Sequence, residues 1–151
     1  MKSRIHLYVH AVWAVEGRRG LLGRTVRVVL FSHLRKTAEE KGIRILAVGG
    51  AEEHMHVLVQ LHPAQNLAQV VRQLKSESSD WLNATKVVGE TLAWEEDYLA
   101  FSVSPNVIRQ VTEYLEKQDE YHKKKSLDEE LELFEKLQSG SAASDTNTGN
   151  P

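Results

Sequence analysis

The apolar positions of the chain change period several times, and each change marks an element. In "IHLYVHAVWAV", Leu7, Val9 and Ala11 alternate with Tyr8, His10 and Val12. A period of two in β-branched and aromatic residues predicts a first strand. "EGRRGLLG" interrupts it with Gly17, Gly20 and Gly23 and predicts a loop. From Thr25 to Lys41 the period becomes helical through Val26, Val29, Leu30, Leu34 and Ala38, with Gly42 as the stop. "IRILAVGG" and "MHVLVQL" predict two further strands, paired as a hairpin through a Gly-Gly-Ala-Glu-Glu turn. Asn66 stands as the cap of a helix whose inner face is Leu67, Val70, Val71, Leu74, Ser78, Trp81 and Leu82. After a loop with Gly89, "LAWEEDYLAFSV" holds one or two short extended pieces. Ser104 and Pro105 open another helix as cap and first-turn residue, running from Asn106 to Gln118 or as far as Lys124. "SLDEELELFEKL" predicts a last short helix, with a serine cap and a carboxylate three residues on.

The order β-α-β-β-α-β-α predicts an α+β fold: a ferredoxin-like antiparallel sheet with helices packed on one face. The 151 residues suit one domain, expected over residues 1–138. The Ser, Gly, Asn, Thr and Asp composition of residues 139–151 predicts a disordered tail. No internal repeat is visible. Lys2 and Arg4 before an apolar stretch imitate a signal peptide, but His6 and His10 interrupt the stretch and no small-residue cleavage site follows. No apolar run approaches the roughly 20 residues that cross a bilayer. The expectation is a cytoplasmic protein without a membrane partner. The absence of cysteine excludes a disulfide framework, a thiolate zinc site and a cysteine nucleophile.

The net charge of −2 conceals an asymmetry. Residues 1–50 carry 10 of the 19 Lys and Arg and 3 of the 21 Asp and Glu, a balance of +7; residues 51–151 carry 9 and 18, a balance of −9. A basic half can face a polyanion, or can simply be the solvated side of a helix.

The chemistry gathers around "EEHMHVLVQLH". His54 and His56 lie two apart in a strand and share a face, while Met55, Val57 and Val59 point the other way into a core. Paired imidazoles bind divalent metals, although two surface histidines would give the same pattern. Tyr114 and Gln118 lie four apart on a predicted helix and also share a face. An amide oxygen can complete a mixed site for magnesium or manganese with positions left for water and phosphate oxygens. A tyrosine beside such a site can act as a nucleophile once its pKa of about 10 is overcome by a metal or a nearby cation. Tyr114 would equally serve to cover the sheet, and Tyr121, seven residues on, is its rival.

Three stretches covering about residues 4–135 carry a family resemblance: "YVHAVWAVEGRRGLL", "EEHMHVLVQLHPAQNLAQVVRQLKSESSDWL" and "WEEDYLAFSVSPNVIRQVTEYLEKQDEYHKKKSLDEEL". The chain resembles the small single-tyrosine HUH transposases, including the REP-associated tyrosine transposases. The resemblance implies a catalytic domain that cuts single-stranded DNA at hairpin-flanked ends and rejoins it. It implies that His54, His56 and Gln118 hold a divalent metal ion, Mg2+ or Mn2+. It implies that Tyr114 attacks the scissile phosphate, keeping a covalent 5′-phosphotyrosine and leaving a free 3′-hydroxyl. Tyr121 has no counterpart. Members can exchange the tyrosine helix across a dimer, so a homodimer is expected, with a monomer as the alternative. Two positions depart from the family pattern: Glu53 where aspartate often precedes the first histidine, and Asp97 where glycine usually precedes Tyr98.

Candidate phosphate contacts are Arg18, Arg19, Arg24, Arg72, Lys75 and the run Lys123, Lys124 and Lys125. Trp13, Trp94 and Tyr98 could stack on unpaired bases or belong to the core. A DNA-hairpin-binding module that has lost catalysis is the alternative function. A histidine-triad hydrolase would need histidine where Leu58 stands, and a two-motif phosphoesterase would need two His-x-Ser/Thr elements, which the chain lacks.

Overall fold

In the computed structural model, which describes residues 1–122 and 125–136, the alternations above become a four-stranded sheet. The elements are β1 (Tyr8–Ala14), α1 (Arg24–Glu40), β2 (Arg44–Gly50), β3 (His54–Gln60), α2 (Leu67–Thr85), β4 (Leu99–Val103), α3 (Ile108–Glu116) and α4 (Gln118–Tyr121). A further helix, α5, covers 127–136. The strand order is β2-β3-β1-β4, and every neighbouring pair is antiparallel. The α+β, ferredoxin-like sheet expected from the element order is therefore present. The chain divides into two compact units, Met1–Gln118 and a second beginning at Asp119. The 139–151 tail lies outside the described residues.

Side-chain parity sorts the sheet into two faces. Ala11, Trp13, Met55, Val57 and Val59 pack with Leu30 and Leu34 of α1 and with Val70, Val71, Leu74 and Leu82 of α2. The opposite face carries Tyr8, Ala47, Leu58 and Val103, apolar enough to need a cover of its own. Ile108, Val111 and Leu115 of α3 supply it. The helices are thus divided: α1 and α2 occupy one face, as expected, and α3 lies on the other.

Local chemistry sets the element ends. Asn66 caps α2, its side chain accepting from Gln69 N at 3.1 Å. Gly42, at φ +73, takes the left-handed position after α1. The Gly-Gly assigned to the hairpin turn instead ends β2, and the turn proper is Ala51–Glu53. The helix expected from Asn106 onward is segmented. Pro105–Val107 forms a 3-10 turn with no side-chain cap from Ser104, and Lys117, at φ −106 and ψ 26, separates α3 from α4. Ser126 caps α5 as expected, its Oγ accepting from Glu129 N at 3.2 Å.

Candidate metal and tyrosine site

β3 places His54 and His56 on the face covered by α3, and both are fully buried. His54 Nε2 lies 3.0 Å from His56 Nε2 and 3.0 Å from Gln118 Oε1. His54 Nδ1 lies 2.9 Å from Glu53 Oε1, so the ring donates its Nδ1–H to the carboxylate. A neutral His54 then turns a lone pair towards Gln118 Oε1, which is itself an acceptor. Facing acceptors repel unless a cation or a proton lies between them. The spacing also fits an ion. Octahedral coordination at about 2.1 Å puts adjacent ligand atoms about 3.0 Å apart. His54, His56 and Gln118 can therefore hold a divalent cation, and Glu53 orients the first of them.

Tyr114 is brought to the same face of the same chain. Its ring meets His56 edge-on, with centroids 5.8 Å apart and planes at 88°. Its hydroxyl is shielded from solvent. Gln118 Nε2 reaches back to Tyr114 O at 3.4 Å, so the two residues are linked across the break at Lys117. The register that makes this possible pairs His56 with Val12 on one side and Gly49 on the other. A Cβ on Gly49 would lie 1.7 Å from Leu115 O, which means that the α3 backbone rests on the sheet only because position 49 has no side chain.

One further site residue went unsingled in the sequence. His10 of β1 is 2 % exposed, and its Nε2 lies 2.7 Å from His56 Nδ1. Burial pushes its pKa down to about 4, so it is neutral near pH 7. The available signal was its parity: His10 shares a face with Tyr8 and Val12, opposite the side of Val9 and Ala11 that enters the main core.

The candidate DNA contacts are scattered. Arg18 pairs with Glu95 at 3.1 Å, and Arg19 pairs with Glu90. Arg24 and Arg72 are exposed. Lys75 Nζ donates to Glu95 O at 2.7 Å and Glu96 O at 2.9 Å, joining α2 to the segment before β4. Burial pushes its pKa down, opposed by Asp97, Glu96 and Glu95. Arg72, Lys75 and Tyr98 line one groove on the α2 side of the sheet. Lys123 and Lys124 lie outside the described residues, as does the side chain of Tyr121, and Lys125 is exposed. Trp13 is buried in the core, and Trp94 meets it edge-on at 6.2 Å while donating from Nε1 to Lys75 O and Ser78 Oγ. The buried Trp13 ring offers no open face of the kind that base stacking needs, and Trp94 is partly buried against the core.

An antiparallel β2-β3-β1-β4 sheet carrying a His-x-His pair beneath Tyr114 of α3, with Gln118 just after the break at Lys117, coincides with a family match. The family model for IS200-like transposases matches residues 3–118, and the chain belongs to that family. It is 28% identical over 126 residues to the ISDra2 transposase TnpA of Deinococcus radiodurans, a match covering 78% of this chain and 89% of that one. The fold is similar to a crystal structure of a D. radiodurans R1 protein described as a transposase, with TM-score 0.62 and 25% identity over 78% of this chain and 97% of the other. It is also similar to a REP-associated tyrosine transposase bound to a REP hairpin, with TM-score 0.54 and 17% identity over 76% and 69%. The last likeness concerns the fold alone. As a member of a transposase family, the protein is a DNA-processing enzyme of DNA transposition. No described helix is long and apolar enough to cross a membrane.

Proposed function

We propose that the protein is a metal-dependent strand transferase acting on single-stranded DNA at hairpin-flanked ends, with Tyr114 as nucleophile. The observation that carries this reading is that His54 Nε2 lies 3.0 Å from both His56 Nε2 and Gln118 Oε1, with Tyr114 against His56 in the same chain. Mg2+ or Mn2+ bound by His54, His56 and Gln118 would neutralise charge on the scissile phosphate. The Tyr114 oxygen attacks phosphorus and forms a Tyr–O–P bond. The P–O3′ bond breaks, the phenolic proton is released, and the departing 3′ oxygen is protonated. The DNA 5′ end stays on the tyrosine as a phosphotyrosine and the other end is a free 3′-hydroxyl. One phosphodiester bond replaces another, so attack by a 3′-hydroxyl reverses the step without ATP. Positioning and charge stabilisation supply most of the acceleration of such a transfer.

The shielded Tyr114 hydroxyl means that α3 must give way locally for a strand to enter. Backbone phosphates are assigned to Arg18, Arg19, Arg24, Arg72 and Lys75 and, from the basic run in the sequence, to Lys123 and Lys124. The hairpin-bound relative supports a hairpin substrate. Tyr114 and the histidines meet within one chain, which supports a site complete in a monomer; a homodimer exchanging α3 would rebuild the same contacts in trans.

The test is covalent capture. The protein is incubated with Mn2+ and labelled single-stranded oligonucleotides carrying hairpins from its own genomic flanks, then run on a denaturing gel. The expected result is a metal-dependent adduct that Tyr114→Phe abolishes and Tyr121→Phe retains. Binding of the hairpin and of Mn2+ without any adduct would replace this reading with the silent DNA-binding module.

A further inference from the structure

We propose that His10 is a positioning residue for the ion site: its Nε2 accepts the Nδ1–H of His56 and thereby holds His56 in the tautomer whose Nε2 lone pair faces the cation. The inference rests on the reading of His54, His56 and Gln118 as an ion site.

The geometry is specific. In the antiparallel register β1 Val12 faces His56 and His10 faces Leu58, so His10 is the diagonal neighbour of His56 on the same face. The two rings stack at 5.0 Å with planes 26° apart, and the Nε2–Nδ1 separation is 2.7 Å. Only one proton can lie between those nitrogens, and its owner decides what His56 does. If His10 donates, a neutral His56 must carry its own proton on Nε2, pointing it at His54 Nε2 only 3.0 Å away, and cannot ligate. If His56 donates, its Nε2 is a lone pair, converging with those of His54 and Gln118. Ligating histidines characteristically give their second N–H to a fixed acceptor. For His54 that acceptor is Glu53. For His56 the described residue in that place is His10, a neutral acceptor where the other ligand has a carboxylate. His10 and Phe101 face each other across β1 and β4, with rings 6.0 Å apart, so the imidazole is packed as well as bonded.

Two measurements test this on the full chain. Long-range 1H–15N correlation of histidine-labelled protein in saturating Mg2+ reads the tautomer directly. His56 is expected with a protonated Nδ1 and an unprotonated Nε2, and a protonated Nε2 overturns the proposal without any variant having to fold. Mn2+ titration followed by electron paramagnetic resonance then compares the wild type with His10→Phe and His10→Gln. His10→Phe keeps a planar ring but no acceptor and is expected to weaken Mn2+ binding roughly 10–100-fold. His10→Gln restores an acceptor oxygen and is expected to recover most of that loss, a rescue that a purely space-filling role would not give. Equal Mn2+ affinity in wild type and His10→Phe overturns the role of His10 alone. A wild type that binds no Mn2+ overturns the ion site and this inference with it.

Discussion

Glu53 does two things with one carboxylate. It accepts the Nδ1–H of His54 at 2.9 Å, and in doing so leaves His54 Nε2 to face His56 and Gln118, the nitrogen that the proposed ion site needs. Glu53→Ala is therefore expected to weaken Mn2+ binding about 10–100-fold, with Glu53→Gln intermediate because its amide oxygen still accepts. Calorimetric titration with Mn2+ checks this, and equal affinity in all three proteins would show that the carboxylate is incidental. At this scale the pair His54 and His56 was legible because a two-residue period in a strand leaves no doubt about a shared face. Tyr114 and Gln118 were legible through four-residue spacing and family resemblance, even though the helix breaks between them. His10 was not legible. A lone histidine in an alternating strand reads the same whether solvated or buried, and its partner His56 is distant in sequence. The aromatic residues suggested for base stacking show the reverse: Trp13 reads as core or as a stacking ring, and its burial favours the core, while Trp94 packs edge-on against it and is only partly buried.

Elements meet the site through one bare position. Gly49 lies beside His56 in the β2–β3 register and under Leu115 O, where a methyl group would overlap the α3 backbone. The clash is with backbone and not with a side chain that could rotate away. Gly49→Ala is expected to destabilise the protein by about 1–3 kcal/mol, in the range of overpacking a dense interior. It is also expected to reduce adduct formation by more than tenfold, because α3 carries Tyr114. Urea denaturation and adduct yield measured on the same preparation check both parts; a variant of unchanged stability and unchanged yield would show that α3 is not seated by this contact. The sequence presented Gly49 and Gly50 as turn residues, since paired glycines ordinarily mark a reversal. Their use here is close approach: Gly49 to the α3 backbone above the sheet, and Gly50 to the β3 backbone at His54 and Met55. The division of helices between two faces was hidden for the same reason: the pattern of α3 shows that it has an apolar stripe, and not which side of the sheet the stripe covers.

For the chain as a whole, the first half of the sequence is basic and the second acidic, yet the two do not stay apart. Arg18 and Arg19 reach Glu95 and Glu90. The polyanion-facing half suggested by counting charges is thus partly neutralised internally, which a tally along the sequence cannot reveal. The two long helices are joined in a similar way. His33 and Lys41 of the α1 region reach the two carboxylate oxygens of Glu77 on α2, at 2.9 and 3.2 Å, and His33 stacks on Trp81. The hydrogen bond from His33, ahead of the Lys41 contacts, holds the Glu77 carboxyl below the usual carboxylate range. A carboxylate whose pKa is depressed by folding contributes stability above its unfolded pKa and loses it as pH falls through the folded one. Glu77→Gln is therefore expected to lower stability by no more than about 1 kcal/mol at pH 7, given how much of the pair is solvated. That difference is expected to shrink as pH drops through the Glu77 carboxyl's depressed range. Guanidinium titrations of both proteins at pH 7 and in acid check it, and a difference that widens in acid would reverse the sign. The succession of strands and helices was readable at this scale because periods of two and of helical spacing alternate cleanly.

The alternation along β3 has a consequence for how such a chain can change. Met55, Val57 and Val59 serve one face while His54, His56 and Leu58 serve the other, so each strand position has an odd or even identity. Losing or gaining one residue in the short turn or early in β3 would exchange the two sets, sending imidazoles into the main core and methyl groups to the face beneath α3. β2 already contains one such frame change, the irregularity between Ile45 and Ala47, after which its inward and outward positions are renumbered against β3. The sheet therefore behaves like a parity check on the gene: drift that substitutes residues can pass and be tuned, whereas a single-codon insertion or deletion here removes fold and chemistry together. Length variation is expected to collect instead in segments such as Glu16–Arg18, which buries no side chain.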